Sequence, residues 1–239
     1  MKVLREYIRS LLEMNSDSEK TTNYVDALEN KIFEFLFTKS TYDRLQDLNE
    51  DDEATVVLST DIFDDFENIN EVHIGLSVNS LQRGEVEAAY VCVPTEREKS
   101  NLVITLNIPY EYPKINGFQD WLSAELADTL SHEIQHSCDT TEMLSGGGNI
   151  PEGDAKWNDL DSIESYYASD AETRGHVAGI LGRSRRTGEN PEDLLYADMG
   201  TIMDKAVSKG FKEDDVALVI QHIYDKWLER LHDVMDNHK

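Results

Sequence analysis

Apolar residues recur at every second position through Val72, Ile74, Leu76 and Val78, and again through Leu102, Ile104, Leu106 and Ile108. Beyond Pro109 and Pro113 the spacing changes, and Leu122, Leu126, Leu130 and Ile134 fall every four residues. Strand side chains alternate between two faces, whereas residues four apart share one helix face. The chain is therefore expected to build a sheet first and to continue in helices. Further strand runs are Val56-Val57-Leu58 and Val86 to Val93, and the three runs from Val72 onward read as an antiparallel meander.

Helical spacing also precedes the sheet. Val3, Leu4, Tyr7, Ile8, Leu11 and Leu12 outline a short amphipathic helix, and Tyr24, Leu28, Ile32, Phe35 and Leu36 outline a second, with a polar linker between them. After the sheet, helices are expected at about 119–138, 160–182, 192–207 and 213–236, with a Gly-rich loop, Ser145 to Gly153, after the first. Gly182-Arg183-Ser184-Arg185-Arg186-Thr187-Gly188 reads as a small basic loop. This order of elements predicts an α+β fold: an antiparallel sheet packed on one helix, followed by a helical C-terminal subdomain. The expected organisation is a leader helix at 1–13, a helical segment at 14–53 and a main domain at 54–239.

Charge narrows the functions open to such a fold. Lys plus Arg number 22 against 48 Asp plus Glu, a formal charge of −26. A duplex binder needs a basic face to neutralise phosphates, and an anionic membrane asks for the same. Nucleic acid and lipid headgroups are thus disfavoured as main ligands, and the charge is consistent with a cation as ligand. No run approaches the 18 apolar residues of a membrane span, and no secretory h-region opens the chain. Two cysteines, Cys92 and Cys138, are too few for a disulfide framework and read as reduced core residues. A reducing cytosol is the expected compartment.

The chemistry concentrates in His132-Glu133-Ile134-Gln135-His136. Two histidines at i and i+4 of a helix share a face, so their imidazoles can converge on one Zn²⁺. Glu133 beside them can take a proton from water that the metal activates. A catalytic zinc has three protein ligands and an open position. Asp139, Glu142, Glu164, Asp170, Glu172 and His176 are candidates for the third. Glu142 sits at a metzincin spacing, but Asp139 occupies the place of the glycine that turns such a chain. Glu172 is favoured: it completes a two-histidine, one-glutamate set, and the Gly-rich loop gives the chain room to return. His176 follows Glu172 by one turn and faces the same way: it is a candidate to hydrogen-bond a ligand or to act on the oxyanion, and the plain alternative is a surface histidine. Tyr166 and Tyr167 are candidate oxyanion donors or core aromatics. Arg174 is a candidate clamp for Glu172, Asp170 or a substrate carboxylate, with a surface ion pair the favoured alternative.

The stretch Lys114 to Leu126, leading into Ser131-His132-Glu133-Ile134-Gln135-His136 and then Tyr166-Tyr167 and Glu172-Thr173-Arg174-Gly175-His176, resembles gluzincin-like zinc metallopeptidases, in particular small ones of tailed phages. The resemblance covers about residues 100–182. It implies a zincin-like fold, in which a sheet edge holds extended peptide above the active-site helix. It further implies His132, His136 and Glu172 as ligands and Glu133 as general base. Gly175 departs from the pattern, in which alanine is common. Leu102–Ile108 is the strand expected to receive substrate by strand addition. Residues 1–13 resemble the leaders of phage internal head proteins, which end in a Leu-x-Glu site, here Leu11-Leu12-Glu13. That implies a prohead protease acting after Glu13 and packaging in the capsid interior. The alternative expectation is a non-enzymatic acidic protein, a DNA mimic of the anti-restriction type with a structural zinc site.

Overall fold

The computed structural model describes residues 22–46, 53–58, 69–79, 84–91, 100–109, 111–137 and 156–237. The leader, Cys92, Cys138, Asp139, Glu142 and the Gly-rich loop lie outside the described residues. The fold is α+β, and the chain divides into two compact units, one within Ser18–Cys138 and one within Asp139–Lys239.

In the first unit, helix α1 (residues 22–36) and α2 (Lys39–Gln46) precede strands β1 (Glu53–Leu58), β2 (Ile69–Asn79), β3 (Glu85–Val91) and β4 (Ser100–Pro109), and helix α3 (Phe118–Ser137) follows. The strand order is β1-β2-β4-β3. Pairs β1–β2 and β3–β4 are antiparallel, but the central pair β2–β4 is parallel. The antiparallel meander is thus corrected to a mixed sheet. The physical reason lies in burial. The apolar residues of β2 and β4 stand side by side, Val72 against Leu102, Ile74 against Ile104, Leu76 against Leu106 and Val78 against Ile108, and all eight are buried. Two such strands take the centre, while β3, with Glu85 and Glu87 exposed, takes an edge. Leu102–Ile108 is therefore an internal segment with both edges paired, so it cannot receive a peptide strand; among the described strands the edges are β1 and β3.

Helix α3 seals one face of this sheet. Phe118, Leu122, Leu126, Ala127, Leu130 and Ile134 join the β2 and β4 residues and Tyr24, Leu28, Ile32 and Leu36 of α1 in one core. The every-fourth stripe therefore does what its spacing predicts. Gly84 allows a close approach at the edge. A Cβ there would lie 2.8 Å from the Trp121 ring of α3 and 2.9 Å from Asn107 O.

The second unit is helical: α4 (Leu160–Tyr167), α5 (Asp170–Thr187), α6 (Pro191–Ser208) and α7 (Glu213–Asn237). Its core joins Trp157, Ile163, Tyr167, Val177, Ile180, Leu195, Met199, Ile223, Trp227 and Leu231, among others. The one helix expected at 160–182 is two, and the expected basic loop is the last turn of α5. Gly188, at φ 74°, ends that helix, as left-handed glycines commonly do. Arg185 and Arg186 in its final turn suit the negative end of the helix dipole. No described helix is long and apolar enough to cross a membrane.

Candidate metal centre

His132 and His136 project from α3 away from its buried stripe. Their Nε2 atoms are 3.0 Å apart, and their rings meet edge to face with centroids 4.8 Å apart. His136 is buried and His132 half-buried. Two neutral imidazole nitrogens brought this close must share a proton or a cation, since bare lone pairs repel. Two nitrogens each bound at about 2.0–2.1 Å to one tetrahedral zinc stand roughly 3.3 Å apart. The observed pair is close to that separation, so the donors fit a divalent cation. Glu133 Oε1 lies 4.0 Å from His132 Nε2, near enough for its carboxylate to serve water held beside the histidines.

Glu172 stands in the first turn of α5, and the reason is local. Ser169 adopts an extended backbone, and its hydroxyl accepts the Glu172 N–H at 3.2 Å. This N-cap separates α4 from α5. Ser169-x-x-Glu172 also has the spacing of a capping box, in which the glutamate would accept the Ser169 N–H in return. Here that N–H donates to Tyr166 O at 3.1 Å. The Glu172 carboxylate is instead turned along the helix, with Oε2 3.8 Å from His176 Nε2.

His176 is held among aromatics. It stacks on Trp227 of α7 with centroids 4.2 Å apart and planes 21° apart, and Tyr167 lies 5.5 Å away. Tyr167 is buried in the core. Burial, reinforced by the Glu172 carboxylate, pushes its phenol far above the ordinary range and keeps it protonated. Tyr166 is half-buried, with Lys156 Nζ 4.1 Å above its ring. Arg174 is half-buried; the hydrogen bond and charge of Lys226 hold the Asp170 carboxyl below its ordinary value, and the Arg174 charge adds the smallest part.

Two rival ligands are engaged elsewhere. The Glu164 carboxylate pairs with His222 Nδ1, and Asp170 pairs with Lys226 at 2.8 Å. Within the first unit the structure brings His132, Glu133 and His136 together, and within the second it brings Glu172, His176 and Tyr167 together. Sequence reasoning missed Lys226 and Trp227. The Lys226 ammonium donates to Ala168 O, and the Trp227 indole N–H donates to Tyr167 O at 2.8 Å. Consecutive residues of α7 thus take consecutive carbonyls at the end of α4, which a helix terminus leaves unsatisfied. In the sequence Trp227 reads only as part of an apolar stripe, and nothing local points across the two intervening helices. Comparison with protein-family models, curated proteins and solved structures returns no match for this chain.

Proposed function

We propose that this chain is a zinc-dependent peptidase of the gluzincin kind, with His132, His136 and Glu172 as metal ligands. The observation that carries the reading is the pair of imidazole nitrogens 3.0 Å apart on one helix, with the Glu133 carboxylate beside them. The residue types support it, because two histidines and one glutamate make up a known ligand set of catalytic zinc. So does the engagement of Glu164 by His222 and of Asp170 by Lys226. A sheet packed on α3 is compatible with a zincin-like fold.

Bound zinc supplies Lewis-acid activation of water and of the scissile carbonyl. Glu133 takes the proton of the attacking water and passes it to the departing amine. Tyr166, the less buried of the two tyrosines, donates to the oxyanion that develops on the carbonyl. Arg174 offers a guanidinium for a substrate carboxylate. The substrate class is protein or peptide. The resemblance extends the proposal to a phage setting: action in the host cytoplasm or carriage in the capsid interior, with a prohead protease cleaving after Glu13.

Metal content tests the reading directly. The purified protein is expected to carry about one equivalent of zinc, and His132→Ala to lose it. Hydrolysis of a peptide library should stop on chelation and return when zinc is restored. Less than about half an equivalent of metal, with no change in His132→Ala, would overturn the site.

A further inference from the structure

One turn along α5 from Glu172, the His176 ring is fixed on two sides. Trp227 stacks against it at 4.2 Å and 21°, and Tyr167 lies 5.5 Å away at 40°. Trp227 is fully buried, and its N–H bond to Tyr167 O fixes it in turn. Tyr167 packs on Trp157 with centroids 5.9 Å apart, which ties the assembly to the core. A ring clamped in this way has already lost its rotamer freedom, so the cost of aiming its nitrogen was met on folding. That nitrogen, Nε2, stands 3.8 Å from Glu172 Oε2, within ion-pair reach and longer than a hydrogen bond, so the carboxylate closes on it when the metal is held. Metal-binding carboxylates depend on partners of this kind. One oxygen meets the ion, and a donor near the other sets the orientation and charge of the group.

We propose that His176 is a positioning residue: clamped by Trp227, it holds the Glu172 carboxylate in the orientation that binds the metal. The role rests on the reading of Glu172 as a ligand, and it removes His176 from the groups that touch the oxyanion.

Three substitutions separate this role from packing. His176→Phe keeps a ring against Trp227 and deletes the nitrogen. His176→Gln places an amide nitrogen at the reach of Nε2, and His176→Asn stops one methylene short. Zn²⁺ alone is titrated into the metal-free full-length chain against a chromogenic chelator, with Glu172→Ala alongside. His176→Phe and His176→Asn are expected to weaken zinc binding by about 10–100-fold, and His176→Gln to stay within about threefold of the parent. The visible spectrum of bound Co²⁺ should shift in the Phe and Asn variants and not in the Gln variant. The unfolding midpoint without metal should be the same for Gln and Asn. If Glu172→Ala loses zinc while the Phe and Asn variants keep parental affinity, His176 does not position the ligand, and the peptidase reading stands. If the Gln variant binds as poorly as the Asn variant, the inference also fails. If Glu172→Ala keeps parental affinity, the ligand set itself is wrong and the inference falls with it.

Discussion

Replacing the Glu133 carboxylate with an amide changes one polar atom and removes the only proton acceptor proposed for the reaction. Glu133→Gln should therefore retain its zinc and lose about 10²–10⁴-fold in kcat, read by metal analysis and peptide hydrolysis on one sample. A variant that loses metal as well would show Glu133 to be a ligand. Gly84 tests packing at the same scale. Its missing Cβ admits the Trp121 ring, and 2.8 Å is too close for a methyl group. Gly84→Ala is expected to lower stability by about 1–3 kcal/mol in urea unfolding, since overpacking forces neighbours out of place. The His132, Glu133 and His136 set was legible because its members share one turn of one helix, where spacing alone decides geometry. The setting of His176 was not. Its partner Trp227 belongs to a different helix, and stacking between distant segments leaves no periodic trace.

The break between α4 and α5 places Glu172 at a helix start. Ser169→Ala removes the cap and should cost about 1 kcal/mol. Lys226→Met removes the bond to Ala168 O and the pair with Asp170 together. The pH dependence separates the two losses. The hydrogen bond and charge of Lys226 hold the Asp170 carboxyl below its ordinary 3.8. That part of the stability is present above the ordinary value and is lost as pH falls through the lower, folded one. Asp170 is largely exposed, so solvent screens the pair and its worth is at most about 1 kcal/mol. In urea unfolding, the gap between the parent and Lys226→Met should narrow as pH drops from about 5 to about 3. The remainder belongs to the Ala168 carbonyl. Period was enough to find these helices and strands. Partner choice was less accessible, because alternation in Val72–Val78 and Leu102–Ile108 shows which face is buried and leaves open which strand lies alongside.

A formal charge of −26 on 239 residues acts on the molecule as a whole. Self-repulsion of this size disfavours the compact state and favours basic substrates near it. Raising ionic strength from about 0.01 M to about 0.15 M shortens the screening length from roughly 30 Å to roughly 8 Å. The thermal midpoint should rise over that range, and a fall would mean that attractive pairs outweigh the repulsion. The same scale governs how the sheet is reached. The antiparallel β1–β2 and β3–β4 pairs join neighbours in the chain, whereas the parallel seam sets Val72 against Leu102 and Val78 against Ile108. Loop closure must be met before such a seam returns any contact energy. The two ribbons can therefore form early and separately, and their zipping along β2–β4 sets the folding rate. A trimmed side chain in that seam, Ile104→Val, should slow refolding, whereas Val86→Ala on the edge ribbon should mainly speed unfolding.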